Sequence, residues 1–221
     1  MDIIDAITSR HACRAFLDTP VDHKLVQKIL DTARWSPSGT NMQPWQVAVV
    51  SGGSRRSLTD KLIAARETGQ QENPDYPYYP LDWYEPYKSR RRATGLALYS
   101  ALNIQRGDTE RQKQAWYDNY RFFGAPIGLM FFIEERLSQG SWVDMGMFIQ
   151  SVMLAATGLG LATCPQFALA EYPDIVRAEL AIPPELKLVT GMSLGYADPA
   201  HPLNSYRLER VPVEDFTRWY E

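Results

Sequence analysis

The amino-acid sequence predicts a single α+β domain, and three observations support this fold class. Four apolar runs of strand length are interspersed with longer segments whose apolar residues recur at helical spacing. The 221 residues are 45% hydrophobic, which is enough for a large core. No repeat or low-complexity linker divides the chain. We therefore expect one domain over 1–221, with a helical and aromatic insertion over 70–125 and a C-terminal extension over 200–221.

The helices are predicted from apolar spacing and capping residues. Asp2 precedes isoleucines at helical spacing, and Asp22 precedes an apolar stripe that ends at Ala33, so each aspartate is expected to cap a helix. Residues 141–160 are almost wholly apolar, which predicts a core helix. The predicted helices span 2–9, 22–33, 54–68, 88–104, 108–122, 141–160 and 171–181.

The strands are predicted from continuous apolar runs. The run "WQVAVV" before Gly52 shows no alternation of apolar and polar residues, which favours a strand covered on both faces. The run "PIGLMFFIEE" predicts a second central strand, and "LATCPQFAL" a third that Pro165 interrupts. The run "KLVTGMSLGYAD" predicts the fourth.

Composition excludes several classes of protein. A net charge of −3 argues against binding to nucleic acid. Two cysteines and three dispersed histidines offer neither a disulfide framework nor a metal site. No stretch has the roughly 18 apolar residues of a membrane span, and an acidic second residue does not suit a signal peptide. We expect a cytoplasmic protein without a bound metal.

Two short motifs suggest other functions. "GMSLG" matches the G-x-S-x-G elbow of serine hydrolases, with Ser193 as nucleophile. It lies inside an apolar run and is not followed by a helix, so a plain strand is the better interpretation. "GLGLA" follows a predicted helix rather than a strand, which favours helix termination over a dinucleotide-binding loop.

The basic residues are grouped rather than spread. Arginines occur in "SRHACRAF" near the start, in "SRRRA" in the middle and in "NSYRLERVP" near the end. In an acidic protein, such groups suggest a small anionic ligand. Arginines near a helix end also complement its dipole, which is the ordinary alternative for the first group.

The segment 73–87, "NPDYPYYPLDWYEPY", combines prolines that forbid regular structure with aromatic side chains that need packing partners. We expect an ordered excursion rather than a linker. Its Trp83 and Tyr84, together with Phe122 and Phe123, are predicted to form an aromatic wall against which a planar substrate stacks. The alternative is that these residues only pack the insertion onto the domain.

The sequence resembles the FMN-dependent nitroreductase family over nearly its whole length. The likeness lies in four motifs that occur in register: "SRHACRAF", "ARWSPSGTNMQPWQVAVV", "AATGLGLATCP" and "NSYRLERVP". The aromatic insertion and "NYRFFGAP" look most like the nitrobenzene nitroreductases. The resemblance implies an α/β sandwich with a central, mostly antiparallel sheet flanked by helices, in an intertwined homodimer with FMN at the subunit interface.

The resemblance also implies the cofactor-binding residues. Arg10 and Arg210 would hold the FMN phosphate with help from Arg207, and Arg14 would approach the pyrimidine edge of the flavin. A stiff loop would reach the flavin from the other subunit. Backbone groups of Gln166 and Phe167 would face flavin N5. The implied cofactor-binding set is Arg10, His11, Ala12, Arg14, Pro37, Ser38, Gly39, Asn41, Asp144, Pro165, Gln166, Phe167, Ala168, Arg207 and Arg210.

The implied activity is NAD(P)H-dependent reduction of nitroaromatic compounds to hydroxylamines. A hydride would pass by way of flavin N5 in ping-pong fashion, so no side chain is expected to act as acid, base or nucleophile. A flavin reductase, a quinone reductase and a reductive dehalogenase of the same fold remain alternatives.

Overall fold

The computed structural model describes residues 1–221 and has a four-stranded sheet at its centre. The strand order is β1-β2-β4-β3, and each pair of neighbouring strands is antiparallel. All four strands lie where the apolar runs predict them. They are β1 (Gln46–Ser51), β2 (Ile127–Glu134), β3 (Ala162–Gln166) and β4 (Leu186–Gly195).

The predicted helices are confirmed, with shifts of a few residues at their ends. The side chains of Asp2 and Asp22 accept hydrogen bonds from Asp5 N and Lys24 N, as helix caps do. No helix combines the length and the apolar character needed to cross a bilayer. The helices are α1 (Ile3–Ser9), α2 (His23–Ala33), α3 (Gly52–Glu67), α4 (Tyr87–Ala101), α5 (Thr109–Tyr120), α6 (Gln139–Gly158), α7 (Pro173–Leu180) and α8 (Val213–Phe216).

The sheet separates two hydrophobic cores, which confirms the α+β sandwich. On β2, Leu129 and Phe131 face a core that α2 and α6 cover. Met130 and Phe132 face the opposite core, under α3, α5 and α7. Since neighbouring side chains of a strand point to opposite faces, an apolar run with no alternation belongs in a sheet with helices on both sides.

Two strand expectations need correction. β1 is an edge strand, and its Val49 is 43% exposed, so it is not covered on both faces. Pro165 does not interrupt β3, because the strand continues to Gln166. β3 is the other edge of the sheet, where a residue without an N–H group is tolerated.

Several apolar side chains lie on the surface of the protomer. On α1, Ile3, Ile4 and Ile7 are between 46% and 64% exposed, although their spacing correctly predicts a helix. On the core helix α6, Val143 is 65% exposed. In the C-terminal extension, Trp219 is 85% exposed. Apolar surface of this extent is typical of a protein–protein interface.

The aromatic excursion is attached firmly to the domain, as its composition predicts. Asp75 forms a bidentate ion pair with Arg177 of α7, at 2.6 and 3.1 Å, and both side chains are largely buried. Asp75 also accepts a hydrogen bond from Leu188 N at 2.7 Å. The Tyr76 hydroxyl donates to Val189 O at 2.8 Å. These contacts connect the irregular segment to the sheet.

A buried carboxyl group lies beneath the insertion. Glu171 is 6% exposed and accepts a hydrogen bond from the Tyr120 hydroxyl of α5. Burial raises the pKa of Glu171 to about 7. The hydrogen bond from Tyr120 and the charge of Arg66 lower this pKa by less than burial raises it. The folded protein therefore binds a proton here that the unfolded chain releases at lower pH.

This raised pKa predicts that stability falls as pH rises. Between the ordinary pKa of a glutamate and about 7, the folded state holds more protons than the unfolded state at Glu171, which is on the order of 3 kcal/mol of stability lost across the window. Glu171→Gln should flatten this decline, as measured by urea unfolding between about pH 5 and about pH 8. Glu135→Gln is the control, because this exposed carboxylate lies away from Glu171, and equal pH profiles for both variants would contradict the assignment.

Candidate functional site

The basic N-terminal motif lies against the edge strand β3. Ala12 forms an isolated parallel bridge with Thr163, and Cys13 N donates to Thr163 O at 3.0 Å. The chain then crosses to the residues that follow β4, where Leu17 N donates to Tyr196 O at 2.9 Å. This backbone pairing places the first arginines of the chain beside the strand that carries Pro165 and Gln166.

The buried side chain of Asn204 joins the N-terminal motif to the C-terminal segment. Its Oδ1 accepts from Arg14 N at 2.9 Å. Its Nδ2 donates to Ala15 O at 2.8 Å and to Asp198 O at 2.9 Å. Its own backbone carbonyl accepts from the Arg207 guanidinium at 3.0 Å. One amide therefore brings together motifs that are 190 residues apart.

The arginines collected here have no acidic partners. Arg10, Arg14, Arg207 and Arg210 form no ion pair, whereas six other arginines of the chain do. Burial and the nearby charge of Arg210 lower the pKa of Arg10. Like charges gathered without a counter-charge repel each other, so the arrangement suits a bound anion.

Polar atoms in the same segments lack hydrogen-bond partners. Of the five buried side-chain atoms without a partner, four lie here: Arg10 Nε, His11 Nε2, Thr163 Oγ1 and Tyr206 OH. Burial is the main cause that lowers the pKa of His11; the hydrogen bond with Ser9 O opposes it, and the charges of the neighbouring arginines add to it, so the neutral form is favoured. Because His11 Nδ1 lies 3.2 Å from Ser9 O, the proton is assigned to Nδ1, and Nε2 is then an acceptor. The region thus offers both donors and an acceptor to a polar ligand.

The Pro-Ser-Gly-Thr-Asn loop lies apart from this cluster within the protomer, held by α6. Gly39 N donates to the buried Asp144 carboxylate at 3.2 Å, and Gln43 N donates to Ser38 Oγ at 3.0 Å. Thr40 and Asn41 have φ angles of 49° and 61°, an unfavourable conformation for residues with side chains. Pro37 and Asn41 are exposed. Asp144 therefore attaches the loop to α6.

Ser193 is a buried strand residue, as the better interpretation of "GMSLG" predicts. It is 0% exposed in β4, and its hydroxyl donates to Gln166 Oε1. The Gln166 amide also donates to Asn119 O at 2.8 Å, so this side chain is occupied within the protein. A nucleophile elbow requires an exposed serine on a turn, so the structure contradicts the hydrolase alternative.

The four residues of the predicted aromatic wall have different surroundings. Trp83 is half-buried under the Arg91 guanidinium, 4.8 Å from its ring centroid, and Tyr84 is 62% exposed. Phe123 is 8% exposed and Phe122 is fully buried. A Cβ at Gly128 would lie 2.3 Å from the Phe122 ring, so the glycine allows this ring to lie on β2. We assign Phe122 a packing role and keep the other three as the predicted wall.

Sequence reasoning missed the aromatic group around Phe167. Tyr78 stacks on the Phe167 ring with centroids 4.4 Å apart, and Tyr76 and Tyr79 meet it edge-on at 5.6 and 6.1 Å. Phe167 directly follows the end of β3, and Ala168 is buried behind it in the adjoining core. The signal in the sequence was the tyrosine density of the excursion, which does not indicate the ring on which the tyrosines pack.

The predicted site residues therefore form two groups in the protomer. One group unites Arg10, His11, Ala12 and Arg14 with β3 and the C-terminal arginines. The other group contains Asp144 and the loop that it holds. An uncompensated arginine cluster at the edge of an α+β sandwich is the kind of site that suits an anionic, phosphate-like ligand.

Comparison with known proteins identifies the family. The family model described as "Nitroreductase family" matches residues 7–196. The chain is 38% identical to the nitrobenzene nitroreductase of Ectopseudomonas oleovorans, over 97% of this chain and 95% of that protein. The chain belongs to the nitroreductase family.

Two solved structures are similar over the whole fold. The FMN and NADPH-dependent nitroreductase NfnB from Sphigopyxis sp. strain HMH has a TM-score of 0.97 and 37% identity, with 100% of both chains covered. The FMN-dependent NfnB from Mycobacterium smegmatis, solved in complex with NADPH, has a TM-score of 0.94 and 35% identity over 99% of this chain and 97% of that one.

The position of Asn204 predicts a large loss of stability on truncation. Asn204→Ala removes three hydrogen bonds and leaves Arg14 N and two carbonyl groups without their partner, which costs about 3 kcal/mol. Chemical denaturation measures this loss. The adjacent Ser205→Ala is the control, since its hydroxyl contacts only Pro202 O and is exposed. Equal stability of the two variants would show that the amide does not join the segments.

Proposed function

We propose that this protein is an FMN-dependent oxidoreductase that uses NAD(P)H to reduce nitroaromatic compounds such as nitrobenzene to hydroxylamines. The observation that carries the proposal is the arginine cluster without acidic partners, which suits the phosphate of FMN. The names of the relatives support the same reaction and the same cofactor. When bound, FMN would supply the redox chemistry: two hydride equivalents from two NAD(P)H molecules, with two protons from solvent, convert the nitro group to a hydroxylamine and release one water.

The residues present fit this cofactor. Arg10 and Arg210 would bind the phosphate dianion, with Arg207 beside them, because guanidinium groups donate paired hydrogen bonds to phosphate. The acceptor Nε2 of His11 suits a ribityl hydroxyl rather than the phosphate. Arg14 would place positive charge near the ring, where it favours the reduced flavin.

The end of β3 would serve the flavin through its backbone. The amide side chain of Gln166 is already bonded to Asn119 and Ser193, so it holds the strand end in position. Backbone N–H groups of Gln166 and Phe167 remain our candidates for contact with the ring. The chain's part in the reaction is then to bind, orient and exclude water, without a side chain that exchanges protons.

We also propose that the active form is a homodimer in which residues 200–221 wrap around the partner. Exposed apolar residues on α1, on α6 and in the extension support this proposal. The unpaired outer edge of β1, with Val49 exposed above α2, offers an apolar surface that a partner segment would cover. In such a dimer, Ser38, Gly39 and Asn41 would reach the flavin bound by the partner.

The phosphate assignment predicts weaker cofactor binding in two variants. Arg10→Ala and Arg210→Ala should each raise the Kd of the apoprotein for FMN about tenfold to a hundredfold, since each removes a charge-assisted hydrogen bond. FMN fluorescence quenching measures this Kd. Arg136→Ala is the control, because its guanidinium pairs with Glu134 at the other end of the sheet. An unchanged Kd in both variants would exclude these arginines from the phosphate site.

The homodimer predicts a solution mass of twice the 25.2 kDa of one chain. Light scattering of the purified holoprotein measures it. Trp219→Ala in the extension and Val143→Asp on α6 should shift the mass toward one chain, because each removes or charges an exposed apolar contact. Tyr84→Ala, also exposed but in the excursion, is the control. A wild-type protein that is active as a monomer would contradict the dimer and the cross-subunit loop.

The aromatic wall predicts selective kinetic effects. Trp83→Ala, Tyr84→Ala and Phe123→Ala should raise KM for nitrobenzene about two- to tenfold, since each removes a stacking partner, and should leave flavin reduction by the nicotinamide less affected. Stopped-flow measurement of each half-reaction separates the two effects. Phe122→Leu is the packing control and should lower stability instead. Equal losses in both half-reactions for all three alanine variants would show that the wall only packs.

A further inference from the structure

The three consecutive arginines Arg90, Arg91 and Arg92 have no part in the proposed site so far. They lie in α4, where successive side chains point about 100° apart, so they reach different surroundings. Arg91 covers the ring of Trp83 at 4.8 Å. Arg92 lines a cavity with Leu96 and Tyr99. Of the three arginines, only Arg90 lines a cavity between α4 and the C-terminal segment.

This second cavity adjoins the proposed phosphate site. Its volume is about 580 Å³, and it is lined by Arg90 and Thr94 of α4 and by the segment from Arg207 to Pro212. Arg210, which lines the cavity, is near enough to Arg10 for its charge to lower the pKa of that guanidinium. The cavity therefore continues the arginine cluster toward α4.

The charges of the cavity favour an anion. Glu209 and Asp215 also line it, but neither lies within 4 Å of a basic group. The Arg210 guanidinium contacts only the carbonyl groups of Leu208 and Glu209, at 2.9 and 3.3 Å. Arg90 forms no ion pair, and its only aromatic contact is the Tyr87 ring at 5.7 Å. Arg207 uses one terminal nitrogen, Nη1, for the carbonyl groups of Asn204 and Tyr206, at 3.0 and 2.9 Å. The remaining N–H donors of the three guanidinium groups have no acidic partner and can donate hydrogen bonds into one space.

We propose that this cavity binds a phosphate monoester and that Arg90 supplies a guanidinium group to it from α4. The inference rests on the proposed function, which provides two sources of such a group: the phosphate of FMN, where Arg90 would join Arg10 and Arg210, and the 2′-phosphate of NADPH, which Arg90 and Arg207 would hold beside the bound FMN. Guanidinium groups donate paired hydrogen bonds to the oxygens of a phosphate monoester. A cavity of this volume, within the 300–1,000 Å³ typical of ligand sites, also admits the nucleoside attached to the phosphate.

The experiment compares three single variants of one helix. Arg90→Gln, Arg91→Gln and Arg92→Gln remove the same charge, and only the first removes a group from the cavity. In one arm, FMN is titrated into each apoprotein and its fluorescence quenching is followed. In the other arm, 2′,5′-ADP and 5′-AMP are titrated into each holoprotein by calorimetry, since they differ by the 2′-phosphate alone. Arg90→Lys tests whether charge without the guanidinium fork restores binding.

We expect Arg90→Gln to weaken one of these interactions about fivefold or more, while the two control variants stay within about twofold of the wild type. A raised Kd for FMN identifies the flavin phosphate as the ligand. A lost preference for 2′,5′-ADP over 5′-AMP identifies the donor's 2′-phosphate.

If the affinities of Arg90→Gln equal those of Arg91→Gln and Arg92→Gln in both arms, the inference is overturned, while the proposed function is unaffected. A wild-type protein that binds neither FMN nor 2′,5′-ADP overturns both. The two failures are therefore distinguishable within one set of titrations.

Discussion

The arrangement of the candidate site depends on the hydrogen bonds of one buried amide. Asn204, in the segment after β4, holds the segment after α1 through two hydrogen bonds of 2.8 and 2.9 Å and is itself fixed by a third, of 2.9 Å, to Asp198 O in its own segment. Each segment carries arginines with no acidic partner, so electrostatic repulsion opposes their approach. The hydrogen bonds of the Asn204 side chain and the backbone bridge between Ala12 and Thr163 offset that repulsion in the protein. An anion bound between the segments would relieve it further, so ligand binding and stability are coupled here.

The strands of the sheet were predictable because the signal for a strand is local in the sequence. Which strands lie at the edges was not predictable, because that depends on contacts distant in sequence. The apolar runs of β2 and β4 reflect burial on both faces, which a sequence records directly. β1 has a similar run, yet it lies at an edge with Val49 exposed. In the same way, the isoleucines of α1 predict a helix but face away from the protomer. Apolar periodicity predicts that a face is apolar, but not whether another part of the chain covers it.

The sequence predicts individual residues of the candidate site better than it predicts which of them lie together in the fold. The motif resemblance selects Arg10 and Arg210, and the structure brings their charges together. Phe122 and Phe123 are adjacent and chemically identical, yet only the Phe122 ring packs against Gly128 of β2, where a side chain would leave no room for it. Both residues have positive φ angles, a local conformation that periodicity does not predict. Arg90 could not be told from Arg91 and Arg92 without the rotation of α4.

The excursion and the Pro-Ser-Gly-Thr-Asn loop show the same physical strategy in two places. Each is irregular in backbone and is fixed by one buried carboxylate: Asp75 by way of Arg177 and Leu188 N, and Asp144 through Gly39 N. Left-handed conformations at Thr40 and Asn41 cost on the order of 1 kcal/mol or more each, so the loop persists only while its support does. Ordering these segments before a ligand arrives removes the entropy cost from the binding step. For a protein whose chemistry would come from a bound cofactor, such preorganisation is the main contribution that its own chain can make.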